Sequence, residues 1–199
     1  MRDPRLAKLA DILVTYSVSV KKGDLVLIRG PVPAEPLVIE VCRAVVTAGG
    51  RPHVRMWPEE TEEVLLRCGS AKQLETTDPL VLNEVRTIDA MIAISGGRNS
   101  RYLSDCDPKK QALAGQGRRP VLELFMKRMS AKHNPLRWVG TQMPTDSAAQ
   151  DAEMSTRRFA DFVFDAGLLN ARNPIAAWKK LATAQQRMCN ALSRRRELR

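Results

Sequence analysis

Apolar residues recur along this chain in two rhythms. Leu6, Leu9, Ile12 and Leu13 fall at helical spacing after Asp3-Pro4, which predicts a first helix ending near Tyr16. The same device returns at Asp78-Pro79, Asp107-Pro108 and Asn173-Pro174. In each, a short polar acceptor caps the helix and the following proline needs no amide partner. Leu37, Val38, Val41, Ala44, Val45 and Ala48 form another stripe, closed by Gly49-Gly50 as a left-handed cap. Between the helices lie β-type runs at Leu25 to Ile28, His53 to Trp57, Ala90 to Ile94 and Arg137 to Val139. Lys22-Gly23-Asp24 turns the chain into the first run and Gly30 ends it. The run from Asp89 to Ile94 is apolar almost throughout, as a strand covered on both faces must be. Strand, helix, glycine stop and strand make a βαβ unit. Its repetition predicts an α/β fold, a mostly parallel sheet with right-handed crossovers and helices on both faces.

From Ser155 onward the pattern is helical only. Phe159, Phe162, Val163 and Ala166 share a face before a break at Gly167. Ala177, Leu181, Ala184, Met188 and Leu192 then mark a last helix running into Arg194-Arg195-Arg196, so at least two helices are expected at the carboxyl end. At 199 residues the whole chain, 1–199, reads as a single domain.

Composition narrows the class. Hydrophobic residues at 44% and charged residues at 27% match a folded globular chain rather than a disordered one. No run approaches the roughly 20 apolar residues a spanning helix needs, and MRDPRLAKLADILV is unlike a secretory signal, so the cytoplasm is the expected compartment. The 4 cysteines show no C-x-x-C spacing, which argues against both a disulfide framework and a zinc ribbon. Of 32 Lys and Arg and 22 Asp and Glu, residues 1–100 hold 13 of each kind, leaving 19 against 9 for residues 101–199. All of the +10 net charge therefore sits in the second half, where it suits a solvated face, an acidic neighbouring domain or nucleic acid. With only 5% aromatic residues and no nucleic-acid module, nucleic acid is the weaker reading.

Candidate chemistry is sparse. A hydrolytic metal site needs three or more His, Asp, Glu or Cys ligands, and the only histidines are His53, in a strand pattern, and His133, in a polar linker. The acidic run Glu59-Glu60-Thr61-Glu62-Glu63 follows Pro58, where negative side chains suit a helix start; Glu59 and Glu63 could face one cation but have no further ligand nearby. There is no G-x-S-x-G elbow, and Gly96-Gly97 lacks the spacing of a nucleotide fingerprint. Neither catalytic nor metal-ligating residues are expected. One positional argument remains, because loops leaving the carboxyl ends of parallel strands gather on one edge and bind ligands there. Those loops begin at Arg29-Gly30, Trp57-Pro58, Ser95-Gly96-Gly97-Arg98-Asn99 and Gly140-Thr141-Gln142, and Arg98, Asn99 and Gln142 are their candidates for substrate contact.

The segments VKKGDLVLIRG at Val20 to Gly30, Ala34 to Val38 and Arg43 to Arg55 resemble, in order and separation, the thermophilic metallo-aminopeptidase family of the aminopeptidase T and aminopeptidase S type. The likeness resumes at Met154-Ser155, Phe159, Phe162 to Phe164 and Pro174 to Trp178, whereas residues 95–119 depart from the family pattern. The resemblance implies a two-domain, dimeric hydrolase that removes amino-terminal residues from peptides with two divalent metal ions, cobalt, zinc or magnesium. It implies that the ligands lie in a second, catalytic domain expected to begin after Arg199, so that this chain is the amino-terminal, non-catalytic domain walling the active site. The alternative from charge alone is a binding or adaptor module whose basic second half engages an acidic partner or nucleic acid, and the stripe of the last helix would suit self-association.

Overall fold

The turn into the first strand is closed by two bonds. The Asp24 carboxylate accepts from the Lys21 amide at 2.6 Å, and the Gly23 amide donates to the Gly49 carbonyl at 2.9 Å. In the computed structural model, which describes residues 3–194, four strands follow: β1 (Leu25–Pro31), β2 (Arg51–Trp57), β3 (Ala90–Ser95) and β4 (Arg137–Gln142). All are parallel, in the order β2-β1-β3-β4. The helices are α1 (Pro4–Asp11), α2 (Glu35–Thr47), α3 (Glu60–Cys68), α4 (Ala71–Glu75), α5 (Pro79–Thr87), α6 (Pro108–Met129), α7 (Asp146–Asp151), α8 (Thr156–Ala166) and α9 (Pro174–Leu192). The α/β class, the parallel sheet and the run of carboxyl-terminal helices agree with the sequence pattern.

Alternation along the central strands sorts the helices into two layers. Val26 and Ile28 of β1, with Ala90, Ile92 and Ile94 of β3, pack against α1, α2, Phe164 and Leu169. Leu27 and Met91 point the other way, onto Ile88, Leu136 and Phe125 of α6. On this second face Leu66, Leu74, Cys106 and Ala114 join α3, α4 and α6. Gly117 makes that seam possible, because a Cβ there would stand 2.4 Å from the Leu74 carbonyl oxygen.

Several boundaries moved. The first helix ends its α-helical part at Asp11 and continues as a π-helical turn over Ile12–Ser17. Strand β4 extends past Val139 because β3 keeps pairing, Ile94 with Thr141 and Ser95 with Gln142. Gln142 is therefore a strand-end residue rather than a loop residue. Helix α4, held by the Ser70/Gln73 capping box, and helix α7 are additional short elements. The last helix docks through Ile175 and Trp178, whose indole N–H donates to the Gly167 carbonyl at 3.0 Å, and Leu181, Met188 and Leu192 beyond them are exposed. Arg195 and Arg196 of the basic run lie outside the described residues. Among those residues, no helix is long and apolar enough to cross a membrane.

Candidate functional site

The register brings the strand ends level, Pro31 beside Trp57 and Ser95 beside Gln142. After β1 the chain turns to α2 on one face, and after β3 it goes on to α6 on the other. The two connections part between neighbouring strands and leave a crevice, the place where open parallel sheets bind ligands. An open cleft of about 660 Å³ lies there, with Arg29, Trp57, Glu59, Tyr102 and Gln142 around the backbone of Ser95 to Gly97. Its size suits a small ligand or a short piece of chain.

One wall is a latched loop. The Glu59 carboxylate, just ahead of α3, accepts from the backbone N–H of Arg98 at 2.6 Å. Gly97 is what lets the carboxylate in, since a Cβ at that position would lie 1.7 Å from Glu59 Oε1. The Ser147 hydroxyl donates to the Gly97 carbonyl at 2.7 Å from the opposite side. Of the three residues singled out from sequence, Gln142 lines the cleft. Arg98 and Asn99 belong to the adjoining loop with exposed side chains, and Asn99 Oδ1 accepts from the Arg101 N–H at 2.9 Å. The structure thus brings Gln142 to the wall and leaves Arg98 and Asn99 at its rim.

The electrostatics centre on a residue that sequence reasoning passed over. Arg29 sits half-buried near the end of β1, with its guanidinium carbon 5.2 Å from the centre of the Trp57 ring. The nearby acid, Glu84 of α5, forms an ion pair with Arg55 at 2.7 Å and contacts His53 at 3.2 Å, though its Oε2 is buried without a hydrogen bond. Arg29 makes no ion pair or hydrogen bond with any described residue. Burial, and secondarily the Arg55 charge, lowers its pKa from the ordinary guanidinium value against the opposing pull of the Glu84 charge, yet an arginine stays charged. A signal existed: on the face where Leu25 and Leu27 point inward, the next position of this central strand carries a charge.

Tyr102 forms the far wall. Its hydroxyl donates to Glu62 Oε2 at 2.8 Å, and Arg118 donates to Oε1 at 2.6 Å. Burial, then the bond to Glu62, pushes the Tyr102 phenol up to about 12, so it stays a donor at neutral pH. Burial alone would raise Glu62, but the bonds from Arg118 and Tyr102 outweigh it and hold the carboxyl below its usual range.

A metal centre finds no ligand set among the described residues, where no three His, Cys, Asp or Glu side chains converge. His53 is committed to Glu84 and His133 is exposed on a loop. Glu63 accepts from Arg67 at 2.7 Å, and Glu59 latches the Arg98 amide. These residues do not fit a pair of hydrolytic metal ions.

Comparison with known proteins places this geometry in context. The model of the thermophilic metalloprotease (M29) family matches residues 2–198. Aminopeptidase 2 of Geobacillus stearothermophilus is 21% identical over 188 residues, which cover 89% of this chain and 45% of that protein. The structure of wild-type AmpT from Thermus thermophilus superposes with a TM-score of 0.71 at 20% identity, over 91% of this chain and 46% of that one. The chain thus spans under half the length of the relatives it matches.

Proposed function

The chain belongs to the thermophilic metalloprotease (M29) family, and from that membership we propose that it is the amino-terminal, non-catalytic domain of a metal-dependent aminopeptidase, whose cleft walls the active site and holds peptide. The observation that carries this reading is the open cleft at the sheet's carboxyl edge, with Arg29, Glu59 and Gln142 in its lining, on a domain whose described residues gather no three metal ligands. Hydrolysis in such a family needs a Lewis-acidic ion. In our reading two divalent ions, cobalt, zinc or magnesium, are held by a catalytic domain that is this chain's partner. The complete enzyme works as a homodimer in the cytoplasm. This chain's own part is to bind and orient: Gln142 at the wall, with Arg98 and Asn99 at the rim, supplies polar contacts to the peptide backbone.

The test is hydrolysis of aminoacyl p-nitroanilides. The isolated chain should give no turnover with cobalt, zinc or magnesium, and joining it to the carboxyl-terminal half of the Geobacillus relative should restore turnover. In that hybrid, assayed on tripeptides, Gln142→Ala should raise KM about 2- to 10-fold with little change in kcat, the loss of one neutral hydrogen bond. Metal-dependent turnover by the isolated chain would refute the proposal.

A further inference from the structure

We infer that Arg29 makes the cleft a carboxylate-binding subsite, one that takes the free carboxyl terminus of a short peptide. The inference rests on the reading of this edge as peptide-facing. A half-buried guanidinium on the inner face of a central strand is costly unless its donors are met, and here no described residue hydrogen-bonds to them, Glu84 acting on Arg29 through its charge alone. Glu84, the acid at hand, is held by Arg55 and His53. The Trp57 ring near the guanidinium, at 5.2 Å, limits how it can turn and leaves N–H donors for the cleft that Arg29 lines. A planar cation with a restrained fork matches a carboxylate, which accepts two parallel N–H bonds.

The neighbouring groups choose between a carboxylate and a phosphate. A phosphate at such a crevice takes free backbone amides, commonly at a helix start. In this cleft the loop after β3 is already latched, because the Glu59 carboxylate takes the Arg98 amide at 2.6 Å and lies against Gly97. The helix start that reaches the cleft is that of α3, whose cap Glu59 and first turn, Glu60, Glu62 and Glu63, are acidic. A phosphate dianion would meet one arginine and the Glu59 charge beside it, whereas a single carboxylate meets a matching fork. The cleft of about 660 Å³ has room for a few residues of peptide beyond the anchored end.

The experiment is binding to the isolated chain, separate from any hydrolysis assay. N-acetyl-dialanine, its carboxamide and inorganic phosphate are titrated in turn, with the Arg29 Nε–H and Trp57 indole N–H resonances as readout. The free acid should shift both resonances saturably, and the carboxamide and phosphate should bind at least about tenfold more weakly, as loss of a charge-assisted bond requires. Arg29→Gln should abolish the preference for acid over amide, and Trp57→Phe, which keeps the charge, should retain it. Equal binding of acid and amide by the unaltered chain, tighter binding of phosphate, or an unchanged preference in Arg29→Gln would overturn the inference. The acid-against-amide comparison needs no variant, so misfolding cannot blur it. A hybrid that hydrolyses peptides while the isolated chain ignores the acid would sink the subsite and leave the proposed function standing. The reverse result would do the opposite.

Discussion

Replacing Gly97 by alanine should destabilise the chain, and the same replacement should turn mildly stabilising once Glu59 is gone. A Cβ on residue 97 would stand 1.7 Å from Glu59 Oε1 and 2.6 Å from its carboxyl carbon, so the carboxylate must swing out and release the Arg98 amide. A hydrogen bond to a charged group is worth about 1.5–3 kcal/mol. With Arg98 exposed, the lower end of that range applies. The backbone of Gly97 is not in the left-handed region, so alanine fits it and stiffens the unfolded chain, a gain of about 0.5 kcal/mol. Gly97→Ala should therefore cost about 1 kcal/mol, and Glu59→Ala about 1.5 kcal/mol through the same lost bond. The double variant should be more stable than Glu59→Ala alone by about 0.5 kcal/mol, which makes the coupling about 1.5 kcal/mol. Urea unfolding with unchanged m-values measures all four corners of the cycle, and hydrogen exchange at the Arg98 amide reports the latch itself. Equal costs of Gly97→Ala in the two backgrounds would show that Glu59 does not hold the loop.

Four further outcomes follow from packing and charge. Arg128 Nη1 donates to the carbonyls of Val85, Arg86 and Ile88 at 2.9, 3.1 and 2.6 Å, closing the end of α5, and Arg128→Met should cost about 2 kcal/mol, or roughly 4–8 °C in Tm by calorimetry. Leu27 is wholly buried beneath α6, so Leu27→Ala should lose about 2–5 kcal/mol in urea unfolding. Tyr102 should ionise near 12 rather than 10 in an ultraviolet titration, with the late step absent in Tyr102→Phe; its stabilisation is full below pH 10 and disappears as pH rises through the folded value. Glu62 has the opposite sign: its contribution is present above 4.5 and fades as acid carries the pH down through its lowered folded value, which acid unfolding of Glu62→Gln should reveal.

Local chemistry was readable where it acts locally. All four acceptor-proline pairs became helix starts, with Asp3, Asp78, Asp107 and Asn173 accepting from N–H groups two or three residues on, at 2.8–3.0 Å. The stripe of α2 and the unbroken apolar run of β3 likewise led directly to one buried face and two. The end of β4 was not legible, because Thr141 and Gln142 are strand only through pairing with Ile94 and Ser95. The same holds for the cleft. Arg98 and Asn99 drew notice as loop residues, but that loop is fixed by Glu59, which lies 39 positions earlier in the chain. Arg29 and Trp57 meet only because β1 and β2 lie side by side.

The two ends of the sheet are built differently, and that difference carries the functional reading. At the amino edge the half-buried charges of Asp24, Asp89 and Arg137 are answered: Asp24 accepts from Arg137 at 2.8 Å, Arg137 also donates to the Val18 and Ser19 carbonyls, and Asp89 accepts from the Leu25 amide. At the carboxyl edge, Arg29 is half-buried with no such answer among the described residues. Satisfied networks stabilise, and unmet buried donors cost stability unless a ligand meets them. Arg137→Met should therefore lower stability by about 2 kcal/mol or more while leaving the acid-over-amide preference intact. Arg29→Met should spare or even raise stability while erasing that preference. If both substitutions instead cost similar stability and neither touched binding, the two edges would be equivalent, and the crevice would be a consequence of strand order with no ligand to hold.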